Sequence, residues 1–211
     1  MLNDGELMKT CTLSEWLSRL RQSTGRLARD NRGNAAIEFA FIVPLMLTMF
    51  FGMIEFSSAV AVDRKISMLT QGLADLASRY DSVNDTDIAN FFTIGDAMLT
   101  PYSATPLKTT ITEIYIDPST GAARAQWSKG DAARTVGSSV PVPADLIARD
   151  SLNKIIPNQY LIFTETTYLY KPAIGYVMGM AGVSLSDKIY MRPRVADCVL
   201  YNTSSGNCPK A

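Results

Sequence analysis

A charge-free apolar run with a carboxylate directly in front of it constrains this chain more than any other feature. Residues 39–54 contain no charged side chain, and Glu38 stands immediately before them. A charged side chain inside a bilayer costs roughly 3 kcal/mol or more, and such residues usually have a function. The run therefore predicts a membrane-spanning helix, and Glu38 becomes a candidate functional residue at its head.

The predicted helix is longer than a membrane requires. Residues 35–62 extend about 42 Å at 1.5 Å per residue, whereas a hydrocarbon core is about 30 Å thick. We therefore expect the helix to emerge on the far side and to continue to about residue 80. Pro44 lies inside the span and should kink it, which membrane helices tolerate. Glu55 lies near the far end, and we expect it to be a solvated, interfacial carboxylate.

The distribution of basic residues predicts the orientation of the span. By the positive-inside rule, residues 1–33 form a cytoplasmic basic leader, residues 34–62 cross the membrane, and residues 63–211 lie outside. A secretory signal is disfavoured because the basic part is too long and no typical small-residue cleavage site follows the run. Five arginines precede the span and few cations follow it closely: Arg19, Arg21, Arg26, Arg29 and Arg32 before it, and Arg64, Lys65 and Arg79 after it.

Composition argues against several functional classes. The chain has 211 residues, with 20 Lys+Arg and 20 Asp+Glu, so that no overall basic field favours nucleic acid. It contains no histidine, which removes the commonest general base and the most frequent metal ligand. We find no phosphate-binding glycine loop, nucleophile elbow or metal-ligand cluster in the sequence. We therefore expect no catalytic residues, no cofactor and no small-molecule substrate.

Two of the three cysteines are close together near the C-terminus. Cys198 and Cys208 enclose a short loop rich in Asn, Ser and Gly, while Cys11 lies in the leader. In an oxidising compartment this spacing predicts a disulfide between Cys198 and Cys208. The alternative is a pair of unpaired thiols near a frayed terminus. Cys11 is on the other side of the membrane, where we expect a free thiol.

The pattern after the span predicts an α+β domain. Apolar residues in 66–80 repeat at helical spacing, and residues 88–99 predict a second helix. The period then changes: residues 109–116 and 122–128 predict a hairpin around a turn at 117–121. Residues 160–170 form the strongest predicted strand, with 188–194 as its partner. Residues 172–185 predict an apolar loop.

These residues resemble the prepilin-like proteins of the tight-adherence (Tad, or Flp) pilus system, and in particular TadE/TadG-like minor pilins or pseudopilins. In that family a basic leader ends in glycine, a prepilin peptidase cuts after it, and the fifth residue of the new N-terminus is glutamate followed by an aromatic residue. Gly33 matches the last leader residue, Asn34 the new N-terminus, and Glu38 and Phe39 the glutamate–aromatic pair. The resemblance extends from residue 32 to about 208 and includes Pro44 and two late motifs, residues 168–172 (YLYKP) and 190–194 (YMRPR).

The resemblance implies a role in assembly. The chain would be a minor pilin or pseudopilin of the inner membrane, with an external pilin-like domain containing a small antiparallel sheet, that takes part in pilus assembly and adhesion. Its expected partners are the prepilin peptidase, other pilins and Tad secretion-system membrane proteins, and it could enter a surface pilus. In low dielectric, Glu38 could pair with the α-amino group of a neighbouring subunit. Two alternatives stay open: an uncleaved single-pass assembly factor and, less favoured, a membrane-tethered envelope enzyme.

Overall fold

The computed structural model describes residues 34–172, 182–203 and 207–210. The predicted basic leader and most of the predicted loop 172–185 therefore lie outside the described residues. The elements, in chain order, are α1 (Asn34–Ser78), β1 (Ser82–Val83), α2 (Asp85–Met98), β2 (Leu107–Ile116), β3 (Ala123–Gly130), a 3₁₀ turn (Ala144–Leu146), β4 (Gln159–Tyr170), β5 (Val183–Met191) and β6 (Leu200–Tyr201). A long apolar helix followed by a small sheet confirms the predicted α+β class.

Helix α1 is one continuous element of 45 residues, about 67 Å long at 1.5 Å per residue. Pro44 lies inside it, and the Thr48 hydroxyl donates a hydrogen bond of 2.8 Å to the Pro44 carbonyl. Proline lacks the N–H that would bond the carbonyl of Ala40 one turn back, so this hydrogen bond is missing from the helix. The chain divides into two compact units, residues 1–52 and 53–211.

In the second unit, α1 contributes a buried apolar stripe. Val62, Ile66, Leu69 and Leu73 are each at most 1% exposed and recur at intervals of three or four residues, so they share one helix face. The stripe packs with Ile111, Ile162 and other residues of the sheet. This burial confirms the helical pattern predicted for residues 66–80, although Tyr80 itself remains partly exposed.

Helix α2 begins and ends with specific caps. The Asn84 side chain accepts a hydrogen bond from the Asp87 N–H, and the Asp87 carboxylate accepts one from the Asn84 N–H, both at 3.0 Å. This capping box satisfies two N–H groups that the first turn leaves without helical partners. At the other end, Lys65 Nζ donates to the carbonyls of Met98 and Thr100 at 3.3 and 2.6 Å. The lysine of α1 thus stabilises the C-terminus of α2.

Within the described residues, four antiparallel strands form one sheet in the order β3-β2-β4-β5. The predicted hairpin is confirmed, with Gly121 at φ +74° in its turn, a conformation that favours glycine. The strand predicted at 160–170 is confirmed as β4. Its predicted partner, 188–194, is displaced in sequence: β5 starts earlier because Val183 pairs with Tyr170 at the end of β4.

The sheet is covered on both faces, which explains why β2 is buried over most of its length. One face packs on α1 and α2, whereas the other packs on side chains from the segment between β3 and β4, including Val140 and Ile155. A separate two-stranded pairing joins β1 to β6 in parallel. Through this pairing the C-terminal segment returns to the start of α2.

Candidate functional site

The residues predicted to form the processing and assembly site lie at the head of α1. Gly33 is outside the described residues, and the helix begins at the next residue, Asn34. Glu38 is exposed, and Phe39 is 68% exposed. The glutamate–aromatic pair therefore lies on the surface of a regular helix, where it is available to a neighbouring molecule or to lipid.

The first part of α1 exposes apolar side chains in all directions. A helix that is apolar on all sides must be covered by lipid or by other helices. By length and composition, the helical segment Ala35–Ser78 could cross a membrane, and its most apolar window is not buried by the rest of the protein. The exposed side chains include Ile37, Phe41, Ile42, Leu45, Met46, Leu47, Met49, Phe50 and Met53.

The expectation that Glu55 is a solvated carboxylate is wrong. Its side chain is only 7% exposed, and the Tyr170 hydroxyl donates a hydrogen bond of 3.0 Å to its Oε2. The two residues are separated by 115 positions, so no local pattern around Glu55 could reveal the contact. The sequence feature that could have indicated a contact of this kind was in β4, where the alternation of side chains places Tyr168 and Tyr170 on one face of the strand. The sheet begins to cover α1 at Glu55.

A second carboxylate, Glu113, is fully buried in the sheet. Its Oε1 accepts a hydrogen bond of 2.5 Å from the Val199 N–H, and Trp127 Nε1 donates one of 2.7 Å to the Val199 carbonyl. Burial raises the pKa of Glu113 to about 8, against the lowering effect of the Val199 hydrogen bond. Sequence reasoning missed this residue. Its signal was a lone glutamate in a strand of alternating β-branched residues.

The C-terminal segment is attached at the end of the sheet where β4 begins. A disulfide joins Cys198 to Cys208, with 5.8 Å between their Cα atoms. Cys198 is buried against Tyr115 and Tyr160. The Tyr160 hydroxyl donates to the Pro209 carbonyl at 3.1 Å, and burial raises the pKa of this tyrosine to about 12. The predicted free thiol, Cys11, lies outside the described residues.

An open polar cavity of about 550 Å³ lies beside this segment. Its described lining residues include no nucleophile paired with a base, so we assign it no chemistry. Within residues 34–172, 182–203 and 207–210, no group of three or more His, Cys, Asp or Glu side chains is arranged to hold a metal ion. The cavity is lined by Asn158, Tyr160, Asp197, Asn207, Cys208 and Lys210.

Two further carboxylates, Asp85 and Glu165, form ion pairs between elements of the fold. Asp85 accepts hydrogen bonds from the Tyr201 hydroxyl and from Lys129, and these, Tyr201 first, lower the pKa of the carboxyl. Lys129 also lies 4.5 Å from the centre of the Tyr201 ring. On the other face of the sheet, Glu165 pairs with Arg134 and Lys188. These groups attach neighbouring elements to one another.

Residues 33–71 match the model of a protein family described as TadE-like protein. The match confirms the resemblance to TadE-like proteins over this segment. It covers a shorter stretch than the resemblance suggested, because the late motifs at 168–172 and 190–194 lie outside it. No curated protein matches the chain, and no solved structure matches it.

Proposed function

We propose that this chain is a minor pilin or pseudopilin of a Tad-type pilus. The observation behind this proposal is the coincidence of three positions: the family match starts at residue 33, α1 starts at Asn34, and Glu38 lies before a charge-free run. In this proposal residues 1–33 are a cytoplasmic leader that the prepilin peptidase removes after Gly33. The mature chain then takes part in pilus assembly and adhesion through association with other pilins and Tad membrane proteins.

Exposure of the helix head supports an assembly role for Glu38. After cleavage, Asn34 would carry a positive α-amino group at or near neutral pH. When helices associate in a low-dielectric environment, a buried carboxylate needs an opposite charge. In our proposal the α-amino group of a neighbouring subunit supplies this charge to Glu38, while Phe39 packs beside the pair. A cleaved N-terminus and the carboxylate are therefore needed together.

Burial of Glu55 supports a shorter membrane segment than the sequence predicted. Glu55 and Val62 are buried in the second compact unit, and Ala59 packs against its core. Side chains covered by a folded domain do not also face lipid. We therefore propose that residues 35–54 cross the inner membrane, which suits the about 20 residues that a bilayer requires. The external, periplasmic domain then begins at about residue 55 rather than at residue 63.

Intact mass and N-terminal sequencing of the protein from its native host test the proposal. We expect a mature chain that begins at Asn34. Gly33→Val should leave the leader attached, because a branched side chain crowds the extended backbone that a protease binds. Gly25→Val is the matched control within the leader and should be processed normally.

The alternative functions predict different results. A full-length chain from wild-type cells with an active prepilin peptidase would contradict the proposal and favour an uncleaved assembly factor. Normal cleavage of Gly33→Val would show that the cut lies elsewhere in the chain.

A further inference from the structure

We propose that the C-terminal segment Cys198–Tyr201 is a latch on the sheet, held closed jointly by the Cys198–Cys208 disulfide and by an uncharged Glu113. The latch opens when the disulfide is reduced and Glu113 loses its proton, while the four-stranded sheet stays folded. It consists of contacts within the domain that follows the apolar run, and only the compartment in which it closes depends on the proposed function.

The sheet holds the latch through one peptide group. The Val199 N–H donates to Glu113 Oε1 at 2.5 Å, and the Val199 carbonyl accepts a hydrogen bond of 2.7 Å from Trp127 Nε1. Glu113 is in β2 and Trp127 in β3, and the two residues are partners in the register of these strands. A movement of Val199 away from the sheet therefore breaks both bonds and brings water to the Glu113 carboxyl.

The other backbone attachment of the latch is short. Strand β6 pairs with β1 over two residues, and the N–H groups of Leu200 and Asn202 donate to the carbonyls of Asp81 and Val83, both at 2.9 Å. Residues 195–197, which lead into the latch, are exposed. By contrast, β2 and β4 pair over ten residues. Because parts of a protein with few such bonds open at a lower free energy than its core, the latch can open while the sheet stays paired.

Glu113 makes closure of the latch depend on pH. Its side chain is buried, and its Oε2 accepts no hydrogen bond from the described residues. Burial raises the pKa of the carboxyl to about 8, against the lowering effect of the Val199 hydrogen bond. The closed latch therefore holds a proton that the open latch releases. This contribution to closure is complete below the ordinary pKa of 4.5 and is lost as pH rises through 8.

The disulfide makes closure depend on oxidation. Cys198 precedes Val199, and Cys208 precedes Pro209, whose carbonyl accepts a hydrogen bond from the Tyr160 hydroxyl. The disulfide thus joins two contacts of the C-terminal region that lie ten positions apart. When it forms, two thiols give two electrons and two protons to the disulfide of a thiol–disulfide oxidoreductase, which leaves as a dithiol. In the proposed topology the latch therefore closes after the domain has crossed the membrane.

Acrylamide quenching of Trp127 fluorescence measures opening of the latch in the full chain. Trp16→Phe leaves Trp127 as the single tryptophan, and this residue is 5% exposed when the latch is closed. The protein is studied in detergent micelles at pH 5.5 and pH 8.5, either oxidised or reduced with a water-soluble phosphine. We expect the ratio of closed to open chains to fall roughly hundredfold on reduction. It should fall by about the same factor between the two pH values, so that quenching is strongest in the reduced protein at pH 8.5.

Matched variants separate the two contributions. Glu113→Gln should remove the difference between the two pH values in the reduced protein, whereas Glu165→Gln, on the other face of the sheet, should keep it. Cys208→Ser should reproduce reduction without the phosphine and leaves Glu113 in place. Helices α1 and α2 bring apolar side chains to this face of the sheet. The other titratable groups around the latch, which Glu113→Gln leaves unchanged, are Tyr115, Tyr160, Asp197, Tyr201, Asp85, Lys129 and the reduced cysteines.

Each result decides the proposal. Strong quenching of the reduced protein at pH 8.5, with unchanged far-UV circular dichroism, supports the latch. Loss of circular dichroism under these conditions means that the sheet unfolds together with the segment, and equal quenching in all four conditions means that the segment stays docked; either result overturns the latch. If reduced Glu113→Gln keeps the wild-type pH dependence, another group titrates and the role of Glu113 is wrong. None of these results depends on cleavage after Gly33, so the proposed function is tested separately.

Discussion

Glu38, Glu55 and Glu113 are three carboxylates in apolar parts of the chain, and each has a different environment. Glu38 is exposed at the head of α1, Glu55 is buried beneath Tyr170, and Glu113 is enclosed in the sheet. An ionised carboxylate is costly in any such place unless it has donors or an opposite charge. Glu55 and Glu113 receive hydrogen bonds from within the protein. We propose that Glu38 additionally pairs with the α-amino group of a neighbouring subunit.

Glu38→Ala should reduce entry into pili more than insertion into the membrane. The substitution removes the proposed partner of the neighbouring α-amino group but makes the helix more apolar. A lost pairing of about 1.4 kcal/mol corresponds to a tenfold lower ratio of pilus to membrane protein. Quantitative immunoblotting of sheared pili and membranes measures this ratio. Ala36→Gln, which adds a polar group and keeps the carboxylate, is the control. Wild-type incorporation of Glu38→Ala would rule out the pairing role.

Glu113 should make the domain less stable as pH rises. Its pKa is about 8 in the folded protein, above the ordinary 4.5, so the folded state holds a proton that the unfolded state releases. The stabilising contribution is complete below about pH 4.5 and is lost as pH rises through 8. Between these limits the free energy of unfolding should fall by roughly 3–5 kcal/mol.

Denaturant unfolding at pH 5 and pH 8 checks the Glu113 prediction. Glu113→Gln should flatten the pH dependence because the amide stays neutral. Glu165→Gln, at a carboxylate paired with Arg134 and Lys188, should keep the decline. Equal declines in the wild type and Glu113→Gln would mean that another group titrates.

At the scale of elements, α1 is one helix with two kinds of surroundings. Its first part exposes apolar side chains all round, whereas from Glu55 onward one face is buried by the sheet. The change in surroundings begins where the Tyr170 hydroxyl of β4 bonds Glu55. Further along α1, Lys65 caps the C-terminus of α2. We therefore propose that the boundary between the membrane-spanning part and the domain part of α1 is set by what packs against the helix.

Tyr170→Phe should weaken the attachment of β4 to α1. The buried carboxylate of Glu55 loses one donor, and a lost hydrogen bond to a charged group destabilises by about 1–3 kcal/mol. Denaturant unfolding of the full chain in micelles measures the change. Tyr80→Phe removes the hydroxyl of a more exposed tyrosine and should change stability by less than about 0.5 kcal/mol. Equal effects of the two substitutions would show that the Glu55 contact is energetically unimportant.

At the scale of the whole molecule, the redox state of each cysteine indicates which side of the membrane that part of the chain occupies. The disulfide between Cys198 and Cys208 closes the C-terminal segment over buried tyrosines, and closing so short a loop stabilises by about 2–3 kcal/mol in the chain-entropy model. Disulfides persist in oxidising compartments. The proposed topology places this pair on the periplasmic side of the membrane and Cys11 in the cytoplasm.

Thiol labelling of spheroplasts tests this topology with the uncleaved Gly33→Val variant, which keeps Cys11. An impermeant maleimide should label Cys198 and Cys208 only after reduction, and Cys11 only after lysis. Non-reducing gels should show faster migration than reducing gels, and Cys198→Ser should abolish the difference while Cys11→Ser keeps it. Labelling of Cys11 in unlysed spheroplasts would contradict the orientation.

Local patterns in the sequence determined the long helix, the hairpin, the strand β4 and the candidate residues at the helix head. These features depend on neighbouring residues: an uncharged run, alternation of side chains, and turn residues at fixed offsets. Tertiary structure alone decided the burial of Glu55, the raised pKa of Glu113 and the earlier start of β5. Each depends on residues far away in the chain: Tyr170 contacts Glu55 and pairs with the start of β5, and burial within the folded sheet raises the pKa of Glu113. No local pattern encodes which distant group will bond a given carboxylate, because that choice is made when the sheet closes on the helix.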